Sequence, residues 1–354
     1  MTITELARPE IRELEAYRPT MPDEAVLLNN NESPWPPPDI SNEFMPAMNR
    51  YPFIPRELRQ RMAAYYGVSD EQLLLTRGSD DGIDALLRTF CRAGIDNIIV
   101  SSPTFGMYAI SAHIQGARVT DIPLTDEFDY RLPEVIRAVD DSTRLVFICS
   151  PNNPSGNAIP LDTIRAACDA LRDRAIVVVD EAYGDFLSQP AAVSLLDDFD
   201  NLVVLRTVSK GLALAGARIG VVLASEEIID LVQRVLPPYP LPTPSIQAAM
   251  RAFSDGALAI ARKRITELRE RRDELAASLR KLACVRRAYP SDANFLLVEF
   301  SDAERVATVL RTSGILARGF DSPRLKHCLR ISIGTAGEMR DLRSALKKPE
   351  NADA

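Results

Sequence analysis

Lys210 stands in the stretch RTVSKGLALAGARIG, Arg206 to Gly220, flanked by hydroxyl-bearing residues and followed eight positions later by Arg218. Thr207 and Ser209 offer hydroxyls, and Arg218 offers a forked, permanently charged set of donors. With amides from a helix start, these groups can cradle a phosphate monoester. Lys210 is then left for other work. An ammonium desolvated near other cations has its pKa lowered, which makes it a competent amine toward an aldehyde. Upstream, TRGSDDGI joins a strand to a helix, and the helix start at Ser79 and Asp80 presents unpaired N–H groups to an anion. Such a turn carries little weight alone, since every strand–helix unit needs one.

Two further stretches end apolar runs with polar residues. In VVVDEAY, Asp180 closes the run and Tyr183 follows three residues on, so both can face the crevice beyond a sheet. A carboxylate there is costly to bury without a cationic or hydrogen-bonding partner, and a protonated pyridine nitrogen would serve. In CSPNNPSG, Cys149 to Gly156, two prolines hold an irregular turn and push Asn153 toward an extended backbone. Asn153 and Tyr183 could hydrogen-bond a phenolate oxygen on the same ring. Taken singly, Asp180 reads equally as a helix cap, Tyr183 as core filler and Asn153 as part of a turn. Jointly, those readings require several coincidences at strand ends.

The elements that must position these residues alternate from about residue 70 to 225. QLLL, NIIV, ARVTDI, RLVFICS, AIVVVD and NLVVLR read as strands, whereas DGIDALLRTFCRAG, PEVIRAV and DTIRAACDALRD read as helices. Unbroken apolar runs suit strands covered on both faces, which predicts an α/β fold with a mostly parallel central sheet flanked by helices. Ligands gather at the carboxyl ends of such strands. From about residue 256 the charged segment LAIARKRITELRERRDELAASLRKL reads as one long amphipathic helix bridging to a smaller α+β domain built from ANFLLVEF, a helix over Ala303 to Leu310, and LRISIG. The expected division is an N-terminal arm with part of the small domain over 1–48, a large domain over 49–255 and a small domain over 256–354.

The 354 residues are 46% hydrophobic, enough for a large core, and the formal net charge is −7. With 42 basic against 49 acidic residues there is no basic field for a polyanion, so nucleic acid is not an expected partner. Cys91, Cys149, Cys168, Cys284 and Cys328 show no short paired spacing, and His113 and His327 are the only histidines. Neither a metal site nor a disulfide framework is visible, which fits a reducing cytoplasm. No apolar run is long enough to span a bilayer or serve as an export signal.

The order SPNNPSG, VVDEAY, then SK followed by AGARIG resembles the fold-type I aminotransferases, which use pyridoxal 5′-phosphate. NRYP, RGSDDGI, PTFGMY, PYPLPTPS, SDANFLLV and CLRISIGT are similar to the histidinol-phosphate branch of that family, over roughly Tyr17 to Leu346. Aromatic aminotransferases and a threonine-phosphate decarboxylase share much of the pattern. The resemblance implies that Lys210 binds the cofactor aldehyde and moves the proton, and that Asp180 keeps the pyridine nitrogen protonated. Asn153 and Tyr183 would contact the ring oxygen, and Tyr108 would stack on the ring. Ser79, Asp80, Thr207, Ser209 and Arg218 would hold the phosphate. It further implies a homodimer with shared sites, Tyr51 reaching the partner subunit's cofactor phosphate, and Tyr17, Arg318 and Arg330 receiving the amino donor and 2-oxoglutarate. Phe105 stands where many relatives have tyrosine, and Glu299 where arginine is common; both bear on substrate preference.

Overall fold

The computed structural model describes residues 2–16 and 48–347, so Tyr17 lies outside the described residues. Seven strands form the larger sheet: β1 (Leu73–Thr76), β2 (Asn97–Val100), β3 (Arg118–Asp121), β4 (Thr143–Cys149), β5 (Ile176–Asp180), β6 (Leu202–Thr207) and β7 (Gly220–Ala224). Their order is β1-β7-β6-β5-β4-β2-β3. The pairs from β6 through β3 are parallel, and β7 runs antiparallel to both β6 and β1. The sheet is thus mostly parallel, as its apolar runs imply. Strand β7 was not among the strands read from the sequence.

Every residue of β4, β5 and β6 is buried, because helices cover both faces. Strand alternation divides the apolar residues between two layers. Val146, Val177, Val179 and Val204 pack with Ile164, Ala167 and Leu171 of helix Leu161–Leu171. Phe147, Ile176, Val178 and Leu205 pack instead with Ile83, Leu86 and Phe90 of helix Ser79–Phe90. That helix approaches the sheet closely at Gly82, where a Cβ would come within 3.1 Å of both Leu205 and Val222.

A second sheet, ordered β10-β9-β8, is antiparallel and comprises β8 (Val285–Ala288), β9 (Phe295–Phe300) and β10 (Cys328–Ser332). On β9, Leu296, Val298 and Phe300 pack with helices Ala303–Thr312 and Ala336–Leu346, whereas Leu297 turns the other way to meet Leu124 and Phe128. The 25-residue helix Asp255–Leu279 is capped by the Ser254 side chain. Its Leu258 enters the core of the larger sheet, and its Leu275 and Leu279 enter the core of the smaller one. Among the described residues, no helix is long and apolar enough to cross a membrane, and no group of His, Cys, Asp and Glu could hold a metal ion.

Candidate active site

The carboxyl ends of β4, β5 and β6 and the start of helix Ser79–Phe90 open onto one cavity. Ser79, Asp80, Asn153, Asp180, Tyr183, Thr207, Ser209, Lys210 and Arg218 all line it, together with Phe105, Cys149, Ala182 and Ala215.

At one end lies a polar cradle. Gly78 precedes the helix with φ of 85°, a conformation that glycine adopts without strain, and the helix start it leads into, Ser79 and Asp80, lines the cavity. The opposing backbone comes equally close: a Cβ on Gly220 would lie 2.3 Å from the Gly78 carbonyl carbon and 2.5 Å from the Ser79 nitrogen. Arg218 has a left-handed backbone, φ 52°, and its Nη2 lies 3.3 Å from Asp80 Oδ2. A non-glycine residue held there is strained, and such strain concentrates at functional sites. The Thr207 hydroxyl donates to the Ile219 carbonyl at 3.0 Å, beside the Val208 amide at 3.2 Å, and lies 2.8 Å from the Ser209 hydroxyl. Thr207 therefore braces the loop. The Ser209 hydroxyl, the Ser79 amide and the Arg218 guanidinium are the groups suited to meet an anion.

At the other end Asp180 is 2% exposed. Its Oδ2 accepts from the Tyr108 hydroxyl at 2.7 Å and its Oδ1 from the Ala182 amide at 3.0 Å. Burial raises its pKa to about 6; the Tyr108 and Ala182 hydrogen bonds oppose that rise, and Asp80 and Glu181 add to it. A buried acid held by two donors is arranged to meet a cation or an N–H.

Lys210 lines the same cavity, with Nζ 5.8 Å from the centre of the Tyr183 ring. Its pKa is lowered, first by burial and then by Arg330 and Arg218, against the opposing pull of Asp80. This is the environment in which an amine becomes nucleophilic. Burial pushes Tyr183 up to about 12, opposed by Arg330. The Tyr183 ring is fixed edge-on against Phe295 at 5.0 Å. Arg330 donates to the Asn153 side-chain oxygen and lies over Phe295, so β10 of the smaller sheet brings a second guanidinium to the cavity's rim.

Three expected residues lie elsewhere, and one of them requires a correction. Tyr108 does not present its ring to the cavity: it is 1% exposed, stacked on Phe147 at 4.7 Å, and placed behind Asp180. Phe105 lines the cavity instead. Helix Met107–Gln115 begins between the two aromatics, and its first turn carries Tyr108 inward. Arg318 is exposed and meets Arg330 only through a backbone bridge, so its side chain does not line the cavity. Tyr51, half exposed, stacks on Tyr239 at 4.5 Å, also away from the cavity of its own chain.

Sequence reasoning missed a buried charge cluster beneath the site. Arg206 pairs with Glu181 at 3.1 Å and with Asp185 at 2.6 Å, and Glu181 also accepts from the Ala192 amide. An arginine inside the apolar run LVVLRT was the available signal, since a buried charge requires a partner.

The profile of the family "Aminotransferase class I and II" matches residues 20–347. The chain belongs to this family. The aminotransferase is 44% identical over 362 residues to the histidinol-phosphate aminotransferase of Xanthomonas euvesicatoria pv. vesicatoria (strain 85-10), a match covering 100% of this chain and 99% of the relative. Its fold superposes on the crystal structure of histidinol-phosphate aminotransferase from Sinorhizobium meliloti in complex with pyridoxal-5′-phosphate, with TM-score 0.76 and 24% identity, covering 86% of this chain and 84% of that one. L-threonine-O-3-phosphate decarboxylase from Porphyromonas gingivalis gives TM-score 0.72 at 20% identity, covering 85% and 91%. At these identities the two structures speak to the fold alone, and one fold serves both a transaminase and a decarboxylase.

Proposed function

We propose that this aminotransferase uses pyridoxal 5′-phosphate to exchange nitrogen between L-histidinol phosphate and 2-oxoglutarate. The observation that carries the reading is the pair of separate guanidinium groups, Arg218 and Arg330, acting on Lys210. One anion receiver suits a cofactor phosphate, which leaves the other for the substrate. The full-length identity to a histidinol-phosphate aminotransferase supports this substrate over the alternatives.

The residues present fit the cofactor. A Cβ on Gly78 would sit 2.7 Å from Arg218 Nη2, so the cradle depends on the absence of a side chain. Its donors match a phosphate monoester, and the buried Asp180 matches a pyridine N–H. Ser79, Ser209 and Arg218 would hold the phosphate, with Thr207 and Asp80 bracing them. Arg330 occupies the Asn153 oxygen, which leaves the Asn153 NH2 group and the Tyr183 hydroxyl as donors to a ring oxygen. Phe105 supplies an aromatic wall. When bound, the cofactor contributes an aldehyde that takes the amino group and a ring that accepts electrons as the substrate carbon loses its proton. Lys210, with its lowered pKa, holds and returns that proton at Nζ. Asp180 stays anionic opposite a protonated nitrogen. Arg330 pairs with the substrate's anionic group, which is a carboxylate in glutamate and a phosphate ester in histidinol phosphate.

The same reading assigns Tyr17 to closure over the substrate and Tyr51 to the partner subunit's phosphate in a cytoplasmic homodimer, and gives up a second anion contact from Arg318, whose exposed side chain does not line the cavity. It also divides the chain near Asp255 into a cofactor-binding part and a smaller part; the two sheets with separate cores support this. Purified protein loaded with cofactor and mixed separately with histidinol phosphate, phenylalanine and threonine phosphate tests the proposal through cofactor absorbance. Histidinol phosphate should convert the aldehyde form to the amine form with kcat/KM at least tenfold above phenylalanine. Faster conversion by phenylalanine, or release of carbon dioxide from threonine phosphate, overturns the substrate assignment.

A further inference from the structure

We propose that Tyr108 is a positioning residue that aligns, from behind, both the Asp180 carboxylate and the Phe105 wall of the cavity. The inference rests on the cofactor reading above and deepens it. The Tyr108 hydroxyl donates to Asp180 Oδ2 at 2.7 Å, and the Ala182 amide donates to Oδ1 at 3.0 Å. With one donor on each oxygen, the carboxylate cannot turn about its Cβ–Cγ bond without breaking a buried hydrogen bond. Its plane is therefore set before any ligand arrives.

The hydroxyl itself has no freedom to swing. The Tyr108 ring lies parallel to Phe147 of β4, at 4.7 Å and 14°, and perpendicular to Phe105, at 5.6 Å and 82°. Both are favourable aromatic geometries. The edge contact also fixes the ring that lines the cavity, so one buried side chain touches both the acid and the wall. The hydrogen bond has an electrostatic effect as well, since it holds Asp180 more acidic than burial alone would leave it. Cys149, opposite Asp180 in the β4–β5 register, also lines the cavity, but its thiol donates to the Pro151 carbonyl at 3.6 Å and not to the carboxylate.

Tyr108→Phe removes only the hydroxyl. Binding of pyridoxal 5′-phosphate to apoprotein, followed by fluorescence quenching and by the circular dichroism of the bound cofactor, is measured for the wild type, Tyr108→Phe, Asp180→Ala and the double variant. Tyr108→Phe should weaken cofactor binding at least tenfold and shift the pH dependence of the bound cofactor's absorption. The penalty should fall below threefold in the Asp180→Ala background, because Tyr108 acts through that carboxylate. Tyr108→Leu, which also removes the ring edge, should in addition reduce the induced circular dichroism. If Tyr108→Phe binds within twofold of wild type, or costs the same with and without the Asp180 carboxylate, the positioning role is wrong. Wild-type protein that fails to bind the cofactor would instead overturn the functional reading itself.

Discussion

Replacing Gly220 with alanine separates the phosphate cradle from the rest of the site. Gly220 opens β7 and is paired with Thr76 on one side and Thr207 on the other. A Cβ there would lie 2.3 Å from the Gly78 carbonyl carbon, 2.5 Å from Ser79 N and 2.8 Å from Gly78 O. All three are backbone atoms, so no side chain can swing away. Restoring ordinary contact distance requires the Gly78–Ser79 junction and β7 to part by roughly 1 Å, within the usual 1–3 kcal/mol cost of overpacking, which a folded domain survives. The function should suffer more. The Ser79 amide would move relative to Arg218, and a misplacement of about 1 Å in a positioning contact costs on the order of 100-fold. Apoprotein titrated with pyridoxal 5′-phosphate should therefore show roughly 100-fold weaker binding, about 2.7 kcal/mol. Pyridoxal, which lacks the phosphate, should change less than about threefold, a contrast no general loosening of the fold reproduces. A Gly220→Ala protein that keeps the wild-type ratio of the two affinities refutes the placement of the anion site at Ser79.

Lys210→Ala should retain cofactor through the cradle but lose the borohydride-reducible link and nearly all turnover; near-native turnover would remove Lys210 from the mechanism. Asp180 in the ligand-free fold binds its proton more tightly than the unfolded chain does, about 6 against 3.8, so its burial costs nothing below pH 4 and reaches about 3 kcal/mol above pH 6. Asp180→Asn, whose amide can donate to Tyr108 and accept from Ala182, should make the apoprotein more stable than wild type in urea at pH 7.5 and equal to it at pH 4; a less stable variant at pH 7.5 contradicts this sign. Arg330→Lys should lower kcat/KM roughly 10- to 1000-fold in both half-reactions, while Arg318→Ala, outside the cavity, should change either by less than about threefold; an unaffected glutamate half-reaction breaks the first assignment, and a selective loss with histidinol phosphate breaks the second. Arg206→Met, which leaves Glu181 and Asp185 without their cation, should destabilise the fold by about 3–5 kcal/mol in denaturant titrations, and a loss under 1 kcal/mol would show the pairs to be dispensable.

The buried parallel strands were legible because a strand covered on both faces must be apolar throughout, as AIVVVD and NLVVLR are. Strand β7 escaped notice because its five residues directly follow the Arg218 motif. The cavity-facing residues at strand ends were legible for the same reason as the strands: a polar residue closing a buried run has to face something. The choice between Phe105 and Tyr108 was not legible. It depends on where a helix begins, and Gly106 gives no side-chain cap to mark that point. Arg330 could be placed on a face by alternation alone, since its neighbours Leu329 and Ile331 are buried with the helices of the smaller sheet. That the opposite face meets Phe295 and Asn153 is tertiary information, as is the failure of Arg318 to reach the cavity.

Strand alternation also explains why the chemistry comes with a buried ion cluster attached. Asp180 and Thr207 end neighbouring strands and face the cavity, so the residues beside them, Glu181 and Arg206, point to the opposite side. There they meet each other, and Asp185 joins them from the turn just after Tyr183. The packing is close: a Cβ on Gly184 would lie 2.1 Å from Arg206 Nη1, and one on Gly211, next to Lys210, would lie 2.2 Å from Asp185 Oδ2. The loop carrying Tyr183 and the loop carrying Lys210 are therefore clamped together from below by charges that never see the ligand. Each short motif carries one residue for each side: DE at the end of β5 and RT at the end of β6 both read as a clamp residue beside a cavity residue. Holding an amine and a phenol in fixed relation needs such a clamp, because neither Lys210 nor Tyr183 lies within a regular strand or helix that would fix it unaided.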